Sequence, residues 1–249
     1  MEHRITGTTM QTLELFMRGG ESVFSQTHQM AWMQGHIDMH TNLGGGVLAA
    51  LRRAFSGASF FISEYNCASG QGMVAFCPRF PGQILMRQLA PGQSLVCRKE
   101  SFLCAEHTCT LDIFFRQQIG AGLFGGEGFI LQKVTGPGLV FLDLSGEVVE
   151  KTLGPGEVLK VHAGHVGMQD PTVGFDIDMV PGFRNILFGG NGLFLARLTG
   201  PGTVVLQSMP ILNLAEEIAR YITPASSGES HDTLTGSVIS GVMGALFKD

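Results

Sequence analysis

Short apolar stretches alternate with glycine-containing breaks along most of this chain. Residues 140–161, VFLDLSGEVVEKTLGPGEVLKV, are broken at Ser145-Gly146 and again at Gly154-Pro155-Gly156. Short runs bounded by turn-forming residues are typical of strands joined by tight turns. The alternation of apolar and polar positions is imperfect in FLARL (194–198) and TVVLQ (203–207), which indicates strands covered on both faces. The pattern therefore predicts packed sheets in an all-β fold.

A repeat with an offset of 64 residues organises the predicted strands. Residues 124–142 (FGGEGFILQKVTGPGLVFL) and 188–206 (FGGNGLFLARLTGPGTVVL) share F-G-G-x-G and T-G-P-G at this offset of 64. A second pair, LAPGQSLV (89–96) and LGPGEVLK (153–160), has the same offset. Similarity at a fixed spacing is the signature of a repeat protein. Each unit is therefore predicted to have two halves, one opening with F-G-G and the other with P-G.

Looser copies of both halves lie nearer the start of the chain. FSGASFF (55–61) and SGQGMVAF (69–76) correspond to the F-G-G half, and GGESVF (19–24) corresponds to the P-G half. The chain therefore begins with one kind of half and ends with the other. Because a lone half could not pair its strand edges, we expect the two terminal halves to pair and close a pseudo-threefold β architecture. The predicted single domain, 1–211, consists of half-unit 1–54, units 55–123 and 124–187, and half-unit 188–211.

The β pattern ends near residue 211, and a C-terminal helix and apolar tail are predicted for 212–249. The sequence ILNLAEEIARYI after Pro210 predicts a short helix, with Asn213 and Glu216 at capping-box spacing. The final TLTGSVISGVMGALF would place small and apolar residues on separate stripes of a helix. We expect this tail to dock on the body or on another subunit, with peripheral membrane or partner contact as the alternative. LAALRRAF (48–55) also has a helix-forming composition.

Composition and charge limit the partners, the location and the cofactors that we expect for this protein. The chain has 249 residues, of which 35 are glycine, and a formal net charge of -5. The acidic balance disfavours binding to phosphate backbones, so no nucleic-acid partner is expected. The N-terminal MEHRITGTTM resembles neither a secretory signal nor a transit peptide, and a cytoplasmic location is the expectation. The five cysteines form no CxxC pair and are predicted to be buried free thiols, and no cofactor is expected.

One candidate metal site lies in the segment GHIDMH. His36, Asp38 and His40 alternate, so on a strand their side chains would share one face and could ligate a metal ion. The aspartate recurs at Asp112 and Asp176, whereas neither histidine recurs. The three aspartates could converge at the pseudo-threefold axis, but a recurring strand-end aspartate more often bonds to backbone amides in the adjoining turn. The histidines are the part of the segment that the repeat does not explain.

The remaining motifs give weaker evidence for a metal, cofactor or catalytic site. His162 and His165 have HxxH spacing, which suits a helix face rather than a strand face, and we assign them to a loop or strand end. GAGLFG (120–125) matches a dinucleotide-binding pattern, but β structure rather than a helix is predicted to follow it. The sequence has no nucleophile elbow and no cysteine with a recognisable histidine partner. No catalytic residue is therefore assigned.

The repeat segments resemble a known family. RGGESVF near the start, FGGEGFILQKVTGPG in the middle and GGNGLFLARLTGPGTVVLQSMP near the end are similar to the mitochondrial biogenesis family formerly called domain of unknown function 124. The resemblance covers most of residues 1–211. It implies a fold like the tryptophan RNA-binding attenuation protein, with a short double-stranded β-helix or sandwich unit present three times. It implies no catalytic residues, because the family has none established.

Three functional hypotheses follow. The first is a non-catalytic binding or scaffold protein that acts through homo-oligomer formation or contact with a protein partner. The second is a metal-dependent enzyme of the double-stranded β-helix type, with His36, Asp38 and His40 as ligands. The third is RNA binding by analogy with the fold, which the negative charge disfavours.

Overall fold

A computed structural model describes residues 1–26, 29–41, 62–117, 128–180 and 193–221 of the chain. These residues form strands almost throughout, with one α-helix and two short 3-10 turns, so the all-β prediction is confirmed. The strands are β1 (Glu2–Thr6), β2 (Thr12–Arg18), β3 (Ser22–Gln26), β4 (Met30–Gly35), β5 (Asp38–Thr41), β6 (Ile62–Asn66), β7 (Gln71–Phe76), β8 (Gly82–Leu89), β9 (Ser94–Arg98), β10 (Phe102–Glu106), β11 (Thr110–Gln117), β12 (Phe129–Thr135), β13 (Gly138–Ser145), β14 (Val148–Leu153), β15 (Val158–His162), β16 (Val166–Gln169), β17 (Gly174–Val180), β18 (Leu193–Thr199) and β19 (Gly202–Gln207). The 3-10 turns are Lys99–Ser101 and Ala163–His165, and the helix, α1, is Ile211–Tyr221.

The strands follow one another in three runs of the same design. Strands β14 to β19 lie at an offset of 64 residues from β8 to β13, so that Ser94 at the start of β9 corresponds to Val158 at the start of β15. Strands β2 to β7 form the first run in the same order. Each run starts with the P-G half and ends with the F-G-G half. With the unit defined in this way, no half is left over at either end of the chain.

The four sheets are built from halves of these runs. Sheet I has the order β1-β2-β7-β4, and sheet II has the order β5-β6-β3-β10-β13-β8. Sheet III has the order β11-β12-β9-β16-β19-β14, and sheet IV contains β15-β18-β17. Sheets II and III therefore each join three strands of one run to three strands of the next. The junctions are the antiparallel pairs β3·β10 and β9·β16.

The four sheets stack in the order I, II, III, IV. Neighbouring residues of β13 show this, because Phe141 packs with Leu15 of sheet I while Val140 packs with the core shared by sheets II and III. In β9, Leu95 faces sheet II and Val96 packs in the core shared by sheets III and IV. Sheets II and III are thus covered on both faces, which explains the imperfect alternation of TVVLQ on β19. FLARL lies on β18 of sheet IV, where Arg197 is exposed between the buried Ala196 and Leu198, so the prediction of two covered faces is wrong for that segment.

The predicted closure of the chain is absent from this arrangement. Among the described strand pairs, none joins residues 1–54 to residues 188–211. Sheets I and IV lie at opposite ends of the stack, with two sheets between them. Because packed sheets lie about 10 Å apart, the end sheets are too far apart to pair within one chain. The repeat therefore builds an open stack, in which β1 pairs with β2 and β19 pairs with β14 and β16 of its own run.

The two glycine motifs of the sequence meet in space. The T-G-P-G segment, which joins β12 to β13, packs against the turn between β8 and β9, where the amide of Gly136 donates to the carbonyl oxygen of Gln93 at 2.9 Å. The next run repeats this contact between Gly200 and Glu157, also at 2.9 Å. A Cβ atom on Gly136 would lie 2.6 Å from Cβ of Leu89. The close approach of the two turns therefore requires glycine.

Helix α1 follows the last strand, as the sequence predicted. It begins at Ile211, and the carbonyl oxygen of Pro210 accepts hydrogen bonds from the amides of Asn213 and Leu214. Asn213 therefore lies in the first turn and is not the N-cap residue that its spacing suggested. No helix in the described ranges is long and apolar enough to cross a membrane. The predicted helix at 48–55, GAGLFG at 120–125 and the tail 225–249 lie outside the described residues.

Candidate interaction surfaces

The structure does not gather the predicted metal ligands into a metal site. Asp38 and His40 lie on β5 opposite Asn66 and Glu64, respectively, whereas His36 lies in the turn before β5. His36 packs close to Gly70, and its amide donates to the carbonyl oxygen of Gln71 at 3.2 Å. Within the described ranges, no three His, Cys, Asp or Glu side chains are placed to hold a metal ion. The alternation His-x-Asp-x-His was misleading because the strand begins only at Asp38.

The recurring aspartates lie on three different sheets. Asp38 is on β5 of sheet II, Asp112 is on β11 of sheet III, and Asp176 is on β17 of sheet IV. All three are exposed, and Asp176 accepts a hydrogen bond at 2.8 Å from Nη2 of Arg197 on the neighbouring strand. The prediction of hydrogen bonds to turn amides is wrong for Asp176. Convergence at an axis does not occur, because the sheets are stacked.

His162 and His165 lie at the end of β15 and in the 3-10 turn that follows, as predicted. Their rings are 5.8 Å apart, and Nδ1 of His165 lies 2.8 Å from the carbonyl oxygen of Gln207. Burial, the charge of His165 and the charge of Arg98 lower the pKa of His162, so its neutral form is favoured. The packed pair is a structural feature at the edge of sheet IV.

Polar side chains cross from one run to the next at the two internal junctions. Nε2 of Gln26, the last residue of β3, donates to the carbonyl oxygen of Lys99 at 2.9 Å. Nη1 of Arg98, the last residue of β9, donates to the carbonyl oxygen of Gly164 at 2.8 Å. Both acceptors belong to the 3-10 turn of the next run. The junctions are therefore held by side-chain contacts as well as by strand pairing, and His162 occupies the corresponding position at the end of β15.

Strand β4 differs from its two counterparts in exposure. Residues of β10 and β16 are almost all buried, whereas β4 is exposed along nearly its whole length. Trp32 is 46% exposed and Met33 is 42% exposed, but Cys104, which corresponds to Trp32, is fully buried. The reason is position, because β4 is an edge strand of sheet I and pairs only with β7. The only tryptophan in the chain therefore lies on an open edge.

Strand β15, at the other end of the stack, is also more exposed than its two counterparts. Its counterparts β3 and β9 are buried from their second residue onward, whereas β15 has exposed and half-buried residues only. Val158 is 49% exposed, and Lys160 takes the place of the buried Phe24 and Val96. Strand β15 pairs only with β18 and forms an edge of sheet IV. Two exposed edge strands therefore lie at opposite ends of the stack: β4, the counterpart of β10 and β16, in sheet I, and β15, the counterpart of β3 and β9, in sheet IV.

A groove lies on the outer face of sheet I beside β4. Its volume is about 450 Å³, and its lining includes Phe16, Met73 and Gln34 together with the charged side chains of Glu2 and Arg18. None of these is a buried titratable group of the kind that marks a catalytic site. The groove therefore extends the exposed surface of β4 and adds no catalytic chemistry.

Buried titratable groups elsewhere are structural. All five cysteines are free thiols, and four of them are buried, which confirms the prediction from their spacing. Burial raises the pKa of the Cys97 and Cys104 thiols, so neither is a ready nucleophile. Burial also raises the pKa of the Asp143 carboxyl to about 6, against opposing contributions from Arg79. Asp143 lies on β13 beneath the segment that links the first two runs.

Comparison with known proteins places the chain in a family. A sequence profile described as mitochondrial biogenesis AIM24 matches residues 3–209, which includes all nineteen strands except the first residue of β1. The chain belongs to the AIM24 family. An uncharacterised protein of Streptococcus pyogenes serotype M6 is 27% identical over 223 residues, covering 86% of this chain and 88% of the relative. The family resemblance inferred from the repeat segments is therefore confirmed.

A solved structure supports the fold. The crystal structure of a Streptococcus pyogenes protein superimposes with a TM-score of 0.72 at 24% identity, covering 89% of this chain and 99% of that one. At this identity the likeness concerns the fold alone. The AIM24 family assignment and this fold bring no catalytic residue to the chain.

The sequence hypotheses missed the residues that distinguish the two ends of the stack. Trp32 and Met33 on β4 and Val158 on β15 were not singled out, because apolar residues on strands are expected to be buried. Aligning the copies would have paired Trp32 with Cys104 and Met168. The exposure of these side chains, however, depends on which sheets lie at the ends of the stack, and the local sequence pattern does not show that order.

Proposed function

We propose that this AIM24-family chain is a non-catalytic scaffold that acts through protein contacts made by its two outer sheets. The observation that carries the proposal is the exposure of β4, whose counterparts in sheets II and III are buried. An exposed strand edge rich in apolar residues is a template for pairing with another strand. Strand β4, with the sequence MAWMQG, has neither a charged residue nor a proline to block such pairing.

The electrostatic and chemical features of the described residues fit a scaffold better than an enzyme. The buried thiols have raised pKa values, and the predicted ligands His36, Asp38 and His40 are not grouped around a metal position. A protein whose core is a stack of sheets presents surfaces rather than a cleft. The contact surface is thus the functional feature that the geometry favours.

Light scattering coupled to size-exclusion chromatography tests the proposal on the full chain. The monomer mass is 26.7 kDa, and we expect assemblies above this mass that grow with protein concentration. Trp32→Arg should shift the chain towards monomer, because an arginine on the open edge disfavours strand pairing and apolar burial. Val149→Arg is the matched control, since Val149 is 47% exposed but lies on β14 at the edge of sheet III.

Two outcomes of these measurements would count against the proposal. Equal effects of Trp32→Arg and Val149→Arg would argue against β4 as the contact surface. A strict monomer at every concentration, for the full chain and for a variant ending at residue 224, would contradict assembly through self-contact.

A further inference from the structure

The first strand of each run has one side that no other strand of its run covers. Strands β2, β8 and β14 occupy this place and pair with the central strands β7, β13 and β19, respectively. In sheet I the other side of β2 pairs antiparallel with all five residues of β1. Among the described strand pairs, β8 and β14 have no second neighbour. Strand β1 therefore shows how an added strand fits an edge of this kind.

The edge of β8 is shielded by the segment that joins β1 to β2. The amide of Gly82 donates to the carbonyl oxygen of Thr9 at 2.7 Å, and the amide of Ile84 donates to Oε1 of Gln11 at 2.6 Å. Within the part of the chain that the structure describes, no segment shields the outer edge of β14 between Val148 and Leu153 in this way. Strand β14 is thus the open member of the three.

The open edge of β14 presents a regular row of backbone groups. In an antiparallel pair, the N–H and C=O of one residue point together, either to the partner strand or away from it. Glu147 points towards the end of β19, because its carbonyl oxygen accepts a hydrogen bond from the amide of Ser208 at 2.9 Å. By alternation, the backbone groups of Val148, Glu150 and Thr152 point away from β19. The register with β19 is unbroken along the whole of β14, so these groups are evenly placed for another strand.

Strands β2 and β14 align residue by residue through the central strands of their runs. The residues that follow the irregularity in β4 and in β16 pair with Ala75 and Val205, respectively. On their other side, Ala75 pairs with Glu14 of β2, and Val205 pairs with Glu150 of β14. Glu14 and Glu150 are therefore equivalent.

The residues before these glutamates show what the added strand covers. Leu13 precedes Glu14 and is fully buried, whereas Val149 precedes Glu150 and is 47% exposed. Leu13 lies opposite Ile5 of β1, which packs against the core between sheets I and II. A branched apolar residue opposite Val149 would cover it in the same way.

Two charged residues of β14 determine the chemistry of a strand that fits this edge. On β2, Glu14 accepts a hydrogen bond from Nε of Arg4 at 2.7 Å. Glu150 pairs with Arg87 at 2.9 Å, but its side chain is still 55% exposed, and a carboxylate accepts several hydrogen bonds. The next residue, Lys151, is exposed and favours an acidic residue directly opposite it. The edge thus fits a strand in which an acidic, a basic and an apolar residue follow one another.

We propose that the open edge of β14 binds an extended segment of a partner protein as an added antiparallel strand, in the register by which β1 pairs with β2. The partner strand carries an acidic residue opposite Lys151, a basic residue opposite Glu150 and a branched apolar residue opposite Val149. In recognition of this kind, backbone hydrogen bonds supply affinity and alternate side chains supply specificity. The inference goes beyond the proposed scaffold function, because β14 belongs to sheet III rather than to an outer sheet.

A synthetic peptide based on β1 tests this edge in the full chain. The peptide MEERITG has the sequence of residues 1–7 with glutamate in place of His3, so that glutamate, arginine and isoleucine follow in the required order. Fluorescence anisotropy of the labelled peptide should show saturable binding to the unsubstituted chain. A peptide of the same composition in scrambled order should bind at least about tenfold more weakly, because its side chains no longer match the register. Equal binding of the two peptides would overturn the proposal.

A proline on the open edge tests the backbone pairing. Thr152→Pro removes an outward amide but leaves the hydrogen bonds to β19, since proline is tolerated on an edge strand where the N–H faces solvent. Binding of MEERITG should fall at least about tenfold, because an added strand loses one hydrogen bond and meets the proline ring. Thr152→Ala is the matched control and should bind like the unsubstituted chain, and urea unfolding checks that both variants are folded. Equal binding by the two folded variants would contradict strand addition.

A charge exchange tests the register independently of proline. Lys151→Glu should weaken binding of MEERITG about threefold, because like charges directly opposite each other destabilise a strand pair. The peptide MEKRITG, with lysine at the same position, should bind this variant better than MEERITG does. Lys160→Glu, at an exposed lysine on β15, is the control and should leave the binding of both peptides unchanged. A variant that does not reverse the preference between the two peptides would show that the register is wrong.

Hydrogen exchange on the unsubstituted chain locates the bound peptide. The amides of Val148, Glu150 and Thr152 should gain protection when MEERITG is added, and those of β2 should not change. Protection of β2 instead would show that the peptide replaces β1, which would overturn the proposal. Trp32→Arg should leave peptide binding unchanged, so the two proposals fail separately. A monomeric chain that binds the peptide at β14 would contradict only the scaffold proposal, and an assembling chain that does not bind it would contradict only this one.

Discussion

Arg98 and Gly164 join two runs of the fold: the guanidinium of Arg98 donates from Nη1 to the carbonyl oxygen of Gly164 at 2.8 Å. The guanidinium also lies over the ring of Phe129 and forms an ion pair with Glu100 at 3.0 Å. The Arg98 side chain is only 4% exposed. A buried cation at the junction between β9 and β16 therefore links the second run to the third.

Arg98→Ala should lower the free energy of unfolding by about 2–4 kcal/mol, because it removes charge-assisted hydrogen bonds and the packing of a long side chain. Urea unfolding followed by circular dichroism measures this change. Arg197→Ala is the matched control: Arg197 pairs with Asp176 at 2.8 Å but is 43% exposed. We expect it to cost less than about 1 kcal/mol, since exposed ion pairs contribute little. Similar losses in the two variants would contradict the junction role of Arg98.

Gly136→Ala should be strongly destabilising. The added Cβ atom would lie 2.6 Å from Cβ of Leu89 and 2.8 Å from the carbonyl oxygen of Ala90, so the two turns would have to move apart. Overpacking of this kind costs about 1–3 kcal/mol. Gly174→Ala is the control, because its nearest neighbour atoms lie at an ordinary 3.5 Å. Its thermal midpoint should match that of the unsubstituted chain, and a comparable loss would show that contact at the turn is not the cause.

The stability of the protein should depend on pH through Asp143. Its folded pKa of about 6 lies above the ordinary aspartate value of 3.8, so the folded state binds the proton more tightly than the unfolded state does. The stabilising contribution of Asp143 is therefore complete below the unfolded pKa and is lost as the pH rises through the folded pKa. Asp143→Asn removes this dependence.

Urea unfolding between acid and neutral pH measures the Asp143 contribution. The difference in unfolding free energy between the unsubstituted chain and Asp143→Asn should change in favour of the variant as the pH rises from about 4 to about 7, as linkage requires. A difference that is constant across this range would show that the carboxyl is not perturbed.

The thiols should react in two classes. Cys77 is half-buried, with Sγ lying 3.7 Å from Oγ1 of Thr12, whereas the other four cysteines are buried. Burial also raises the pKa values of Cys97 and Cys104, so little thiolate is present near neutral pH. A thiol reagent should therefore modify at most Cys77 in the native chain and all five cysteines in denaturant. Rapid modification of a second thiol in the native chain would contradict the buried assignment.

The sequence anticipated the features that depend on short stretches of chain. The turns at Gly136 and Gly200, the helix after Pro210 and the buried thiols were all foreseen, because glycine, proline and apolar periodicity act over a few residues. The alternation of His36, Asp38 and His40 was not foreseen correctly, because His36 lies in the turn before β5 and outside the strand. A pattern of residue types does not specify where a strand begins.

The sequence by itself determined that this chain is all-β, with repeated turns at a 64-residue offset, and its repeat segments placed it in the AIM24 family. Only the tertiary structure decided how the runs meet. The sequence suggested closure by the chain ends, whereas sheets packed face to face form a stack with two ends. Trp32 and Cys104 occupy equivalent positions, yet one is exposed and the other is buried. The cause is the position of their strands in the stack, because burial depends on what lies beyond a strand's edge and face rather than on the residue itself.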